Sequence, residues 1–201
     1  MAGGTGLYIK SFVEGLDEIP QVSSAVRKEI QLAYEEKGMS WLQEQIREKD
    51  PEFFRTGEIL NPHRMMRALE VKLASGNSIL SYRYKSQKKR PFNIIKIGLH
   101  LSKDELHRNI NMRTDQMMDQ GLLNEVEGLI SYRTYNALRT VGYTELFDCL
   151  DGKISLNQAI ELIKKNTRQY AKRQLTWFRK DASIRWMHPD EVMDFKKIIK
   201  S

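Results

Sequence analysis

The chain has 201 residues, of which 33 are Lys or Arg and 26 are Asp or Glu, so its formal net charge is +7. That length suits one or two domains with a core of their own. No segment has the 18 or more consecutive apolar residues of a transmembrane helix, which predicts a protein without a membrane partner. Cys149 is the only cysteine, and the four histidines are scattered, which excludes an internal disulfide and zinc-ligand spacing. Because no signal-peptide pattern opens the chain, a reducing cytoplasm is the predicted location.

Helix signals dominate the first half of the chain. Apolar residues recur at helical spacing after Pro20, and Gly38 is expected to end that helix. A second helix follows through Trp41. Asn61 is placed to cap a third helix that ends at Gly76. The first half is therefore predicted to be mostly helical.

The second half combines longer helices with signals for strands. Residues 93–101 alternate in polarity as a half-buried strand does. Capping boxes at Ser102–Glu105 and Ser155–Gln158 each open a helix, the second of which is predicted to reach about Lys180. Residues 183–187 are predicted as a short final strand. Two strands are few for a sheet, so either further strands lie outside this chain or the protein is nearly all helical.

The excess positive charge is concentrated in two stretches that contain no acidic residue. Residues 83–90 include five Lys or Arg, and residues 164–180 include seven, with Tyr170, Trp177 and Phe178 among them. Clustered cations bind phosphate backbones with release of counterions, which favours a nucleic-acid partner. The alternative is a basic helix face that is simply solvated.

Several common catalytic motifs are missing from the sequence. The only Gly-Lys pair, Gly152-Lys153, is followed by Ile154, so there is no G-x-x-x-x-G-K-[ST] motif. The third glycine of a dinucleotide fingerprint is absent after Gly6. A nucleophilic hydrolase has no support either, because no Ser-His-Asp or Cys-His arrangement stands out.

Two glycine turns hold candidate site residues. The chain opens with GGTGLY, in which Thr5 and the surrounding backbone N–H groups could face an anion or a base. The alternative for this segment is a flexible end. Arg139 precedes a tight turn at Gly142, where a guanidinium is well placed to bind a pyrophosphate in a bidentate manner.

Two helices carry rows of basic residues. On the predicted third helix, His63, Arg64 and Arg67 occupy neighbouring positions of one face, where they serve either a partner or a salt bridge from Arg67 to Glu70. The long helix repeats basic residues at spacings of three, four and seven, and these residues are Lys165, Arg168, Lys172 and Arg179. Arg173 lies beside that row. Such a helix could pack against a sheet and hold a phosphate backbone at the same time.

Together, the segments GGTGLY, NPHRMMRALE, LRTVGYTEL and TRQYAKRQLTWFRK resemble the bacterial tRNA dimethylallyltransferases, which are P-loop-type prenyltransferases. The segments follow the family's order from Gly3 to Arg179. The resemblance implies an α/β fold, with a P-loop-type core and an inserted helical domain that grips the tRNA anticodon stem-loop. It also implies transfer of a dimethylallyl group from dimethylallyl diphosphate to N6 of adenosine 37, in tRNAs that read codons beginning with U.

The resemblance also implies roles for particular residues. Thr5 matches a threonine that lines the reaction channel and touches the target nucleotide, and Arg139 matches the arginine that binds the diphosphate. The residues matched to tRNA contacts are Arg27, His63, Arg64, Arg67, Arg168, Gln169, Lys172 and Arg173. His63 replaces the usual glutamine. Thr144 stands where the family often has a basic residue, which weakens a phosphate role there.

The family's phosphate-binding loop and its proposed acidic general base precede GGTGLY, and this sequence contains neither. The expected domains are therefore a core segment at 1–15, a tRNA-binding helical insertion at 16–92, and the C-terminal part of an incomplete core at 93–201. We expect an N-terminally truncated, monomeric chain that is inactive alone. Mg²⁺ is expected for the full-length enzyme, although no ligands are evident here. The alternatives are a non-catalytic basic RNA-binding module and, more distantly, a helix-turn-helix DNA-binding protein.

Overall fold

The computed structural model describes residues 1–83 and 90–194. The predicted basic loop at 83–90 thus lies mostly outside the described residues. The chain divides into two compact units, which we call the helical unit, residues 10–91, and the sheet unit, residues 1–9 with 92–201. These limits fall near the predicted domain limits, although residues 10–15 go with the helical unit. The domain roles remain predictions.

The helical unit is built from helices that follow one another closely along the chain. Helix α1, Gly6–Glu14, has its first four residues in the sheet unit and the rest in the helical unit, and it is followed by α2, Ser24–Lys49, α3, Pro51–Thr56, and α4, Pro62–Ser75. A single turn of 3₁₀-helix follows at Ile79–Tyr82.

Local signals in the sequence set the ends of these helices. The Ser23 hydroxyl accepts a hydrogen bond from the N–H of Val26, and the Asn61 side chain accepts one from Arg64. The predicted cap at Asn61 is therefore confirmed. The predicted end at Gly38 is confirmed, because this residue has φ 75° and ψ −164°, so that α2 consists of two helices that meet at a kink. Glycine adopts a positive φ at little cost, so the chain bends there without a loop.

The core of the helical unit lies between α2, α3 and α4. Its fully buried side chains come from all three helices, and the largest are Phe53, Leu42, Ile46, Met65 and Leu69. Each of these leaves water almost completely on folding, which contributes about 1.5–3 kcal/mol per side chain. The unit therefore has a continuous core of its own.

In its described residues, the sheet unit contains two strands and four helices. The strands are β1, Lys96–Leu99, and β2, Ile184–Met187. The helices are α5, Lys103–Asp119, α6, Leu122–Gly128, α7, Tyr143–Leu150, and α8, Leu156–Phe178. Further 3₁₀ turns lie at Ile130–Tyr132, Asn136–Leu138 and Pro189–Asp194.

The two strands pair in parallel, with Lys96 opposite Ile184 and Leu99 opposite Met187. Both predicted strands are confirmed, although the first is shorter than 93–101. At the centre of the pair, a Cβ on Gly98 would lie 2.8 Å from the Trp186 ring. A glycine at this position therefore allows the indole to pack against the neighbouring strand.

The buried core of the sheet unit lies among its helices and not on its strands. Its buried residues come from α6, α7 and α8, and they are Leu122, Val126, Leu146, Phe147, Ala159 and Ile163. By contrast, Ile95 and Leu99 at the first strand are exposed. Both predicted capping boxes are present, since Ser102 with Glu105 and Ser155 with Gln158 exchange hydrogen bonds at the starts of α5 and α8.

Candidate functional site

Helix α8 of the sheet unit carries several of the predicted site residues. It has 23 residues and carries Arg168, Gln169, Lys172 and Arg173 in its middle part. Ala159 and Ile163 bury its first half in the core. The buried end fixes the helix, so its polar side chains can hold neighbouring loops in place.

The glycine turn at the start of the chain is attached to the second half of α8. The Gln174 side chain donates a hydrogen bond from Nε2 to the Gly4 carbonyl, at 2.9 Å. A Cβ on Gly6 would overlap the Trp177 indole, and one on Gly4 would overlap the Gln174 amide. At Gly6 a side chain would force the indole ring to move, whereas at Gly4 the end of the flexible Gln174 side chain could shift instead.

Thr5 lies between these two glycines and is exposed. Its carbonyl accepts hydrogen bonds from the N–H groups of Tyr8 at 3.0 Å and Ile9 at 3.2 Å, which begins α1. The threonine is therefore held by its backbone while its side chain stays open to solvent. A hydroxyl in this position can donate to or accept from a bound molecule.

Arg139 lies on the exposed side of a tight turn. Its N–H donates to the Asn136 carbonyl at 3.2 Å, and the backbone then turns through Gly142, which has φ 103°. Within residues 1–83 and 90–191, no carboxylate forms a salt bridge with the Arg139 guanidinium. The guanidinium is therefore available to an anion.

The same turn is held from behind by a buried carboxylate. Glu145 is only 6% exposed. One of its oxygens accepts from the Gly142 N–H at 2.8 Å, and the other accepts from the Asn166 side chain of α8 at 2.6 Å. The Arg139 turn and the Thr5 turn are thus both tied to α8.

The predicted tRNA-binding residues on α8 differ in their burial and in their contacts. Arg168 is half-buried and donates to the Asn111 side chain on α5 at 2.8 Å, so it also has a structural role. Arg173 lies over the Tyr170 ring, 5.7 Å from its centroid. Gln169 and Lys172 are exposed. In the described part of the chain, no acidic group pairs with Lys172.

In the helical unit, a shared carboxylate brings two of the predicted arginines together. Glu70 on α4 is 14% exposed at its side chain. Its Oε2 lies 3.1 Å from Arg67 Nη1 on the same helix and 3.6 Å from Arg27 Nε on α2. Two positive charges on one carboxylate leave a net positive surface there.

The remaining predicted residues of this surface are at the start of α4. His63 is exposed, and Arg64 forms an exposed ion pair with Glu58. An ion pair of this kind contributes at most about 1 kcal/mol, so it does not prevent the arginine from exchanging its partner for a phosphate. The salt bridges of Arg64 and Arg67 that the sequence allowed are therefore formed. A role of the same residues in binding a partner stays a prediction.

Arg90, at the end of the basic stretch 83–90, lies among the described residues and forms hydrogen bonds. Its guanidinium donates to the carbonyls of Ser11 at 3.2 Å and Val13 at 3.3 Å, near the end of α1. The Ser11 carbonyl also accepts the Gly15 N–H at 3.0 Å, whereas the Val13 carbonyl is one of those that a helix end leaves without a backbone partner. Arg90 therefore has a structural role within the helical unit.

The described ranges hold neither a metal centre nor a membrane span. Among the residues whose side chains the structure describes, no three His, Cys, Asp or Glu side chains converge as metal ligands. In the same ranges, no helix is both long and apolar enough to cross a membrane.

Comparison with known protein families decides the family. The model of the IPP transferase family matches residues 1–181. The chain belongs to the IPP transferase family. The resemblance stated from the four sequence segments is therefore confirmed, and the order of those segments was the feature that carried it.

Curated relatives in this family are longer than the chain. It is 42% identical over 200 residues to "tRNA dimethylallyltransferase 1" of Bacteroides thetaiotaomicron, covering 100% of this chain and 65% of the relative. It is 46% identical over 191 residues to "tRNA dimethylallyltransferase" of Christiangramia forsetii, covering 95% and 63%. The chain thus spans slightly less than two thirds of these relatives.

Solved structures give the same family. The full-length tRNA isopentenylpyrophosphate transferase from Bacillus halodurans matches with a TM-score of 0.59 at 32% identity, over 98% of this chain and 63% of that one. A eukaryotic dimethylallyltransferase acting on tRNA matches with a TM-score of 0.71 at 20% identity, over 98% and 54%. The second likeness concerns the fold alone.

The structure brings some predicted residues of this member of the IPP transferase family together and adds others. In the sheet unit, α8 carries the predicted residues 168–173 and holds the turns of Thr5 and Arg139. In the helical unit, Arg27 and Arg67 meet on Glu70. Sequence analysis missed the side chains that hold the turns, Gln174, Glu145 and Asn166. The spacing from Gly142 to Glu145 is that of a capping box, but no sequence pattern pairs Gln174 with a residue 170 positions away.

Proposed function

We propose that this chain is part of an enzyme that transfers a dimethylallyl group from dimethylallyl diphosphate to N6 of adenosine 37, in tRNAs that read codons beginning with U. The proposal rests on the family, on the names of the curated relatives and on the four segments. The observation that carries it furthest is an exposed Arg139 without a carboxylate partner in the described residues, on a turn fixed to α8.

Arg139 is proposed to bind the diphosphate. In the reaction, N6 of the adenine attacks C1 of the dimethylallyl group, the C1–O bond to the diphosphate breaks, and the N6 proton passes to a base. Negative charge therefore develops on the diphosphate oxygens as they leave. A guanidinium held in place beforehand stabilises that charge, because it needs no rearrangement during the step.

Thr5 is proposed to contact the target nucleotide. An exocyclic amine inside a stacked anticodon loop is out of reach, so the base must leave the stack and be held in a pocket. A hydroxyl on a turn whose backbone is fixed by Gln174 suits that task, since it can bond a base edge without moving itself.

The tRNA anticodon stem-loop is proposed to bind through two basic surfaces. One comprises Arg27, His63, Arg64 and Arg67 of the helical unit, and the other comprises Arg168, Gln169, Lys172 and Arg173 of α8. Phosphate contacts of this kind supply affinity that falls with salt. Arg173 over Tyr170 adds an aromatic surface beside the charge, which suits an unstacked base.

The chain is proposed to be insufficient for catalysis on its own, as an incomplete P-loop-type core with an inserted tRNA-binding domain. The phosphate-binding loop and the general base of the family would come from a preceding segment. Mg²⁺ is kept as a proposed cofactor of the full-length enzyme; no residue in 1–83 or 90–194 is assigned to it, and the roles given above do not depend on it. The enzyme is proposed to act as a monomer in the cytoplasm.

A prenyl-transfer assay on unmodified tRNA tests this proposal directly. The 201-residue chain alone is expected to give no turnover. A longer protein that also contains the proposed preceding segment is expected to be active. In that longer protein, Arg139→Ala is expected to lower the rate about 100-fold. Turnover by the chain alone would disprove the insufficiency.

A non-catalytic RNA-binding module is the second candidate, and the basic and aromatic surface around Tyr170 is the observation in its favour. The two candidates differ in diphosphate binding. If Arg139→Ala changed neither the affinity for diphosphate nor the activity of the longer protein, the RNA-binding module would be the better explanation.

A further inference from the structure

The Arg139 turn has a feature that its proposed role does not explain. Three residues beyond Gly142, the carboxylate of Glu145 is almost completely buried, at 6% exposure. Burial of a charged carboxylate is costly unless its oxygens accept hydrogen bonds. Its hydrogen bonds therefore show what the carboxylate does in the fold.

Each oxygen of Glu145 has a separate partner. Oε2 accepts the N–H of Gly142 at 2.8 Å, which closes the turn at the start of α7. Oε1 accepts the Asn166 Nδ2 of α8 at 2.6 Å. A capping box needs only the first of these bonds. The second bond joins α7 to α8 through two residues that are 21 positions apart in the chain, and it has no part in capping α7.

The combined geometry fixes the turn in two directions. The bond to Gly142 sets the conformation of the backbone that leads from Arg139 into α7, and Gly142 can adopt its φ of 103° because it has no Cβ. The bond to Asn166 sets the position of that backbone against α8, whose first half is anchored in the core by Ala159 and Ile163. Arg139 itself makes no ion pair in the described residues that would orient it. Its position is therefore set by the backbone turn.

We propose that Glu145 and Asn166 are positioning residues for diphosphate binding, which hold the turn of Arg139 against α8. The inference rests on the proposed role of Arg139. A guanidinium that must present two parallel N–H groups to an anion depends on its placement, so a loosened turn should weaken binding even though the guanidinium is still present.

The first test uses inorganic pyrophosphate and the whole 201-residue chain, with affinity measured by isothermal titration calorimetry. Asn166→Ala is expected to weaken pyrophosphate binding about fivefold or more, because the turn loses a hydrogen bond to a charged group. The matched control is Asn157→Ala, an exposed asparagine of the same helix, which should change the affinity less than twofold.

A second variant separates geometry from charge. In Glu145→Gln, the amide oxygen can still accept the Gly142 N–H, and the amide nitrogen can donate to Asn166 once that side chain rotates. Pyrophosphate affinity should therefore stay within about twofold of wild type, whereas Glu145→Ala should lose it as Asn166→Ala does. A rise in affinity in Glu145→Gln would mean that the carboxylate acts by repelling the anion, which would overturn the inference.

The remaining outcomes distinguish this inference from the proposed function. If Arg139→Ala weakens pyrophosphate binding and Asn166→Ala does not, the positioning role is wrong and the role of Arg139 stands. If wild type binds no pyrophosphate, or Arg139→Ala has no effect, the role of Arg139 fails and the inference fails with it. Binding of an anticodon stem-loop RNA is measured in parallel, and an equal loss there in Asn166→Ala would indicate general structural damage instead of positioning.

Discussion

The helical unit and the sheet unit bury their apolar side chains in different places. In the helical unit the core lies between packed helices, and Leu42, Ile46 and Met65 are completely buried. In the described part of the sheet unit the buried core residues are all helical, while the strands keep Leu99 55% exposed. One unit thus encloses a core between its helices, and the other has a sheet whose described surface is still open to water.

This contrast has a physical basis in parallel sheets. A parallel sheet is normally covered on both faces, and two strands are too few to be stable without packing partners. The pair β1 and β2 instead shows apolar residues to solvent. We therefore expect further strands or helices to pack on this pair, and the curated relatives are longer than this chain.

The largest expected difference in stability is between substitution of a core leucine of the helical unit and substitution of a strand leucine of the sheet unit. Leu42→Ala in α2 should lower the free energy of unfolding by about 2–5 kcal/mol, because it leaves a cavity in a closely packed core. Leu99→Ala in β1 should change it by less than about 0.5 kcal/mol, since the side chain is mostly in water. Urea denaturation measures both.

The control is Leu32→Ala, which removes a 54% exposed leucine from the same helix as Leu42 and should have little effect. If Leu99→Ala destabilised the chain as much as Leu42→Ala, the strand surface would be buried in solution, and the contrast between the units would be wrong.

The glycine turn of the sheet unit offers the next test. Gly6→Ala places a methyl group where the Trp177 indole lies, so the turn or the indole must move, at a cost of about 1–3 kcal/mol. Gly3→Ala is the matched control, because no atom lies within 4 Å of its Cβ position. Denaturation gives the cost, and Trp fluorescence reports the movement of the ring. Equal stability of the two variants would show that the turn is not packed on α8.

RNA binding tests whether the helical unit carries the tRNA surface that we propose. The double variant Arg64→Ala, Arg67→Ala should bind an anticodon stem-loop more weakly. The slope of log affinity against log salt should fall by about 0.7–0.9 for each phosphate group that is no longer bound. In the full-length enzyme, these substitutions should raise the KM for tRNA more than the KM for the prenyl donor.

For this test, Arg55→Ala removes another exposed arginine of the helical unit that lies outside the proposed surface. It should leave the salt slope unchanged. An unchanged slope in the Arg64 and Arg67 variant, or equal effects on the two KM values, would favour the salt-bridge interpretation of these residues.

A more modest effect is expected for the acid stability of the sheet unit. Lys96 Nζ lies 2.7 Å from Asp181 Oδ2, and its hydrogen bond, with those from Ser183, lowers the pKa of Asp181 from 3.8 to about 2. Because this pKa is lower in the folded state, the stabilisation is present above about pH 4 and is lost as the pH falls towards 2. The pair is partly exposed, so its contribution is at most about 1 kcal/mol.

Lys96→Met should therefore reduce stability at neutral pH slightly and flatten its decline between about pH 4 and pH 2. Lys165→Met on α8 is the control, since that lysine is exposed. Urea unfolding at several pH values measures the difference. A decline of the same steepness in Lys96→Met and wild type would contradict the role of this ion pair.

Local patterns predicted much of the fold because their causes are local. Asn61, Ser102 and Ser155 cap helices through bonds to residues three positions away, and any chain with that spacing can form them. Gly38 ends the first half of α2 as predicted, and the second half begins directly after the kink, with both halves packed against the same core. Helical spacing alone would place Leu73 on the buried side of α4 with Leu69, yet Leu73 is 50% exposed, while Ala68 and Val71 are buried.

The family, the helix ends and the candidate site residues could all be read from the sequence, because ordered motifs, caps and charge runs are properties of short segments. How those residues are held was settled only by tertiary packing. Gln174 reaches Gly4 across 170 positions, and Glu145 joins Gly142 to Asn166 on another helix. Such bonds arise when distant segments pack on one helix, and their geometry depends on the whole unit. The positions of Thr5 and Arg139 are therefore set by α8, a role that its basic residues alone did not predict.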